Sequence, residues 1–188
     1  MFTTRSTFVI GGIISSAMLV TFGVAAIALG VHGRSEVRHS IAREHIVGTP
    51  GSSIAGDKVD TGSEAKTFSD VIRKDTLAIT GDRTYAEMGR FLTASGEETS
   101  DPAKAATDPA TGGPKANEAR NIWITSTALS TALTTSYFAE QVSLFAIVVG
   151  VALLLTGIGF TVLTIGALRM RADRLVAVPV VDKVATTV

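Results

Sequence analysis

The sequence predicts an all-α membrane protein: a two-transmembrane-helix hairpin with a small helical extracytoplasmic domain and a long second helix continuing into the membrane. Three observations predict it. Residues 142–168 and 7–31 each run without a charged side chain. As helices rising ~1.5 Å per residue they reach about 40 Å and about 37 Å, more than the ~30 Å of bilayer hydrocarbon. The charges gather between them, where residues 34–140 hold 12 Lys plus Arg against 15 Asp plus Glu, a net charge of −3. Finally, no Gly or Pro separates the helical spacing of residues 117–141 from the second apolar run.

The totals narrow the function classes. In 188 residues the formal net charge is zero and cysteine is absent. Balanced charge gives no electrostatic reason to expect nucleic acid as a partner. Without cysteine there is neither a disulfide framework nor a thiolate metal site.

Taken in order, residues 1–6 form a polar lead with a single charge, Arg5, and are assigned to the cytoplasm. The first span, 7–31, contains Ala26-Ile27-Ala28, an A-x-A pattern that a cleaved signal peptide would also show. Its apolar run exceeds the ~7–15 residues of a signal core, which favours an uncleaved span. Arg34, Arg38 and Arg43 follow it, and residues 34–46 extend its helix with Val37 and Ile41 on one side. Gly48, Pro50, Gly51 and Gly56 then impose a loop over 47–61.

Residues 63–80 have amphipathic helical spacing through Phe68, Val71, Ile72 and Ile79, stopped by Gly81. Thr84-Tyr85-Ala86-Glu87 has the pattern of a capping box and should open a short helix carrying Met88, Phe91 and Leu92. Residues 94–116 are rich in Ser, Thr, Ala, Gly and Pro, with Ser100-Asp101-Pro102-Ala103 echoed by Thr107-Asp108-Pro109-Ala110. So little apolar bulk should leave them a mobile loop. A small core is expected from Phe68, Ile72, Leu77, Met88, Phe91, Ile122 and Trp123.

Arg169, Arg171 and Arg174 close the second span, and residues 169–188 follow as a tail. The positive-inside rule places that tail in the cytoplasm. The arginines after the first span argue the other way, but loops above ~60 residues translocate largely regardless of charge. Both termini are therefore expected inside, with residues 32–141 outside the cytoplasm.

Each span carries a stripe of small residues. Gly12, Ser16, Gly23, Ala26 and Gly30 share one seam of the first, interrupted by Leu19. Ala146, Gly150, Gly157, Thr161 and Thr164 share one of the second, interrupted by Leu153. Helix association in lipid depends on close backbone approach, which such seams permit within or between chains.

Few residues suggest chemistry. His32, Glu36 and His39 stand at i, i+4, i+7 and could in principle hold zinc, but Gly33 softens the helix there. A solvated helix end with local charge pairs is the plainer reading, so no metal is expected. Gly51 to Lys58 imitates a phosphate loop, except that Asp57 takes the place of the lysine and Val59 that of Ser or Thr. Ser52 and Ser53 lack a nucleophile elbow. Glu97 and Glu98 fall in the loop expected to be mobile. Neither span has an ionisable group from which to build a proton or ion path.

Residues 59–88 resemble a set of small two-span membrane proteins of Actinobacteria. The matching positions are Thr80, Gly81, Asp82, Thr84, Tyr85, Ala86, Glu87 and Met88, then residues 137–144, which enter the last span through a Phe-containing helix. Many of those proteins carry the label aromatic ring-opening dioxygenase LigA. Extradiol cleavage requires iron held by His and carboxylate ligands with open positions, for which this chain offers only His32, His39, His45 and their neighbours. The resemblance implies an envelope protein with no catalytic residues to carry over.

The function expected is that of a non-enzymatic accessory or scaffolding subunit without a cofactor. Its partners would be membrane lipid and either another membrane or envelope protein or a second copy of itself. The alternatives are a receptor-like module binding a small molecule or lipid near Trp123, Phe91 and Tyr85, or the metal-dependent oxygenase of the label.

Overall fold

Three helices account for most of the chain in the computed structural model, which describes residues 4–176. They are α1 (Thr4–Ala42), α2 (Gly62–Thr80) and α3 (Glu118–Val176), and a two-stranded antiparallel sheet, β1 (Phe91–Leu92) and β2 (Glu98–Thr99), lies between α2 and α3 in sequence. The cytoplasmic assignments of residues 1–3 and 177–188 lie outside the described residues. The chain divides into two compact units, one built from the apolar parts of α1 and α3 up to Val31 and from Phe145 onward, the other from His32–Leu144.

In the first unit the two apolar stretches pack antiparallel. Close approach is possible because glycines face backbone: a Cβ on Gly23 would lie 2.7 Å from the Leu154 nitrogen, and one on Gly157 2.9 Å from the Val20 nitrogen. Larger side chains point away, as in Phe8 at 78%, Phe145 at 69% and Leu163 at 69% exposure. Only 11% of each apolar window is buried. The core helix of a soluble protein would be mostly covered, so these are two helices long and apolar enough to cross a membrane, with their apolar surface facing outward.

The second unit is built on α2. Thr61 caps it by accepting the Glu64 amide, and the Glu64 carboxylate returns to the Thr61 amide at 3.0 Å. This capping box was not singled out from the sequence. Gly81 ends the helix in the left-handed region, at φ 63°, where a Cβ is disfavoured. The core joins Ile41, Val59, Ala65 and Leu133, with Phe68 and Ile72 packed against it. Met88 and Trp123 are buried as expected, but Ile122 is 40% exposed.

Two expectations are corrected here. The short helix at Thr84 is a single 3-10 turn, Tyr85–Glu87. The capping box itself is present: the Glu87 carboxylate reaches back to the Thr84 amide at 2.6 Å, and the Thr84 hydroxyl also donates to it at 2.8 Å. The chain then extends, because Gly89 packs on the Thr99 backbone and gives its amide to Glu98 Oε2 at 2.8 Å.

Residues 94–116 are folded rather than an open loop. Leu92 exchanges backbone bonds with Lys115 and Ala106, and Asn117 donates its amide to the Arg90 carbonyl. The repeated Asp-Pro-Ala unit supplies two Asx turns, Asp101 accepting from Ala103 at 3.0 Å and Asp108 from Ala110 at 2.8 Å. Backbone and short polar side chains thus supply what apolar burial does not.

Candidate functional site

The expected packing seams come together within one chain. Gly150 sits so close to α1 that a Cβ would be 2.7 Å from the Gly23 carbonyl and 2.8 Å from the Ile27 nitrogen. A Cβ on Gly12 would lie 2.8 Å from the Thr164 hydroxyl, and Ser16 is buried, its hydroxyl bonded to the Gly12 carbonyl at 2.7 Å. Gly30 is buried, Ala26 and Ala146 are half-buried, and Thr161 is exposed with its hydroxyl donated to Gly157. Thr161 nevertheless lies opposite α1, lining a cavity with Ser16, Ala17 and Val20.

The strongest polar constellation lies in the second unit and was not foreseen as one. Glu140 is buried at 6% exposure. Its Oε1 accepts from Arg34 Nε at 2.9 Å and Arg38 Nε at 2.7 Å, while Oε2 accepts the Gly62 amide at 2.6 Å. One carboxylate thus ties together α1, the first turn of α2 and α3. Burial pushes the Glu140 carboxyl up, but the two guanidiniums and the Gly62 amide outweigh it and hold it below the usual carboxylate range. Gly62 has no room for a side chain, since a Cβ would meet Glu140 Oε2 at 2.8 Å.

The sequence did contain a signal for this cluster. Glu140 is the one carboxylate between Asn121 and Leu168, and a lone charge in such a run needs a partner. In an antiparallel hairpin, residues just beyond the two span ends come together, which pairs Glu140 with Arg34 and Arg38.

A second feature is an open cavity of about 550 Å³ between α2 and α3. Trp123 and Phe138 supply apolar wall, Ser69, Thr127 and Thr131 supply hydroxyls, and Arg73 stands 5.6 Å from the Trp123 ring centroid. Tyr85 and Phe91, expected beside Trp123, do not line it. Tyr85 instead carries the Arg120 guanidinium at 3.9 Å from its ring centroid.

His32, Glu36 and His39 are all exposed on α1. Among the described residues no three His, Asp or Glu side chains are gathered to hold a metal ion. The residues present therefore do not fit the iron site that ring-opening chemistry requires. No family model, curated protein or solved structure matches this chain.

Proposed function

We propose that the chain is a non-enzymatic integral membrane protein, an accessory or scaffolding subunit that presents residues 32–141 outside the cytoplasm to another membrane or envelope protein. Both termini lie in the cytoplasm on this reading, and its likeness to two-span actinobacterial proteins rests on residues 59–88, with the 80–88 motif, and on residues 137–144. The observation that carries it is the outer part of α3. From Asn121 to Ala139 it has no charged residue, yet Ile124 is 51%, Leu129 45% and Phe138 67% exposed. An uncharged, partly apolar helix face in an otherwise charged unit suits a protein partner. The glycine seams, engaged within the chain, serve the hairpin.

The absence of cysteine makes the orientation directly testable. Thr111→Cys in intact cells should react with a membrane-impermeant maleimide, whereas Thr186→Cys should react only after permeabilisation. The opposite pattern would invert the topology. A photo-crosslinking residue at Ile124 should then yield one discrete adduct, a second copy of the chain or a distinct protein. Absence of any adduct would remove the scaffolding role.

A second reading is favoured by the cavity beside Trp123, whose hydroxyls and Arg73 could hold a small polar molecule. Saturable quenching of the single Trp by one compound, abolished in Arg73→Ala, would select it.

A further inference from the structure

Arg34 and Arg38 both spend Nε on the same oxygen of Glu140. Two like charges, one helical turn apart on α1, thus converge on a single carboxylate. Each side chain remains about two-fifths exposed, at 40% and 42%, and among the described residues the Nη groups meet no acceptor. Glu64, whose charge also acts on Arg38, is occupied at the α2 cap by the Asp60 and Thr61 amides. Both arginines border a cavity of about 150 Å³ that Thr61, Ser63, Glu140, Gln141 and Leu144 complete. The Glu140 carboxylate there is already engaged by both Nε groups and the Gly62 amide, so the lining keeps one positive charge in excess.

We propose that this cavity is a phosphate-binding site formed by the Arg34 and Arg38 guanidiniums, the Ser63 hydroxyl and the Gln141 amide. Guanidinium forks match phosphate oxygens in geometry and charge, and Ser63 adds a neutral donor from the first turn of α2. The group that fits best is the phosphate of an anionic phospholipid. Arg34 follows the first apolar run within one helical turn, Gln141 immediately precedes the second, and Leu144, 40% exposed, gives the cavity an apolar border. This source rests on the reading that α1 and α3 cross a membrane; free phosphate would present the same chemistry.

The test uses full-length protein released from membranes in mild detergent. Native mass spectrometry would compare retention of phosphatidylglycerol and phosphatidylcholine, and thermal unfolding would be followed with and without inorganic phosphate. The informative variant is Ser63→Asp, which puts a carboxylate into the cavity at an exposed first-turn position where an acid suits the helix, leaving the Glu140 contacts intact. Gln141→Glu does the same from α3.

Wild type should prefer phosphatidylglycerol by about tenfold, and either variant should abolish that preference. If inorganic phosphate raises the wild-type Tm but not that of Ser63→Asp, and no lipid preference is found, the site stands with free phosphate as its ligand. Equal retention of the two lipids without a phosphate effect overturns the proposal, as does a preference that both variants keep. Carbonate extraction of the membranes separates the two failures. A chain that stays in the pellet but shows no phosphate chemistry sinks only the site, and one that washes off sinks the membrane reading.

Discussion

Gly150 and Gly23 meet backbone to backbone, with the Gly23 carbonyl 2.7 Å from where a Gly150 Cβ would stand. The neighbours there are main-chain atoms, which cannot swing aside as a side chain can. Gly150→Ala should therefore force α1 and α3 apart and cost about 1–3 kcal/mol. Gly159→Ala is the control, because a Cβ there meets nothing within 4 Å. On helix propensity it should be neutral or slightly stabilising, by up to about 1 kcal/mol. Unfolding in detergent of the two variants beside wild type checks the contrast; equal stabilities would mean the seams do not hold the hairpin.

Removing Glu140 leaves two guanidiniums and the Gly62 amide facing one another with no acceptor. Glu140→Ala should destabilise the outer unit by about 2 kcal/mol, below the ~3–5 kcal/mol of a fully buried pair because both arginines are partly solvated. Glu140→Gln keeps an acceptor for the Gly62 amide and should cost less. Chemical denaturation followed by the Trp123 signal measures both, and a wild-type midpoint in Glu140→Ala would show that the clasp is dispensable.

What the sequence revealed, and what it hid, follows from how each element is held. The apolar runs were legible because each continues without a charge for longer than a bilayer is thick, and α2 because burial of one face imposes a period, visible in Phe68 and Ile72, that Gly81 ends. The fold of residues 91–117 was not, since Leu92, Ala106 and Lys115 are joined by backbone bonds that leave no hydrophobic rhythm. The Glu140 cluster left one mark, its lone charge in an uncharged run, but not its partners. Its members lie far apart in sequence, and Arg34 and Arg38 read there as topology signals rather than as ligands of a carboxylate.

Acid should loosen the outer unit. For Glu140, burial raises the carboxyl but the Arg34, Arg38 and Gly62 bonds lower it further. For Glu64, burial is likewise outweighed by the Asp60 and Thr61 amides, the Thr61 hydroxyl and Arg38. A carboxyl whose folded pKa is depressed binds protons more readily when unfolded. Its stabilisation is complete above the unfolded value of about 4.3 and drains away as pH falls through the lower, folded value. Titration from about pH 6 to about pH 3, read by near-UV circular dichroism, should show stability falling below about pH 4.5, and Glu140→Gln should flatten part of the fall. A profile identical to wild type in that variant would remove Glu140 as a cause.

The two Thr-x-x-Glu sequences should behave differently although they look alike. At Thr61 the hydroxyl accepts the Glu64 amide at 3.3 Å and opens a helix of 19 residues packed on the core. At Thr84 the Glu87 carboxylate likewise reaches back to the amide, at 2.6 Å, but the box opens only the exposed 3-10 turn Tyr85–Glu87. Thr61→Ala should cost about 1 kcal/mol, as loss of a helix N-cap does, whereas Thr84→Ala should cost under about 0.5 kcal/mol because the turn it caps is short and exposed and packs little against the core. Denaturation midpoints with an unchanged m value would measure both. Reversed costs would mean that the Thr84 turn, with Arg120 stacked on Tyr85 beside it, anchors the outer unit more firmly than the start of α2.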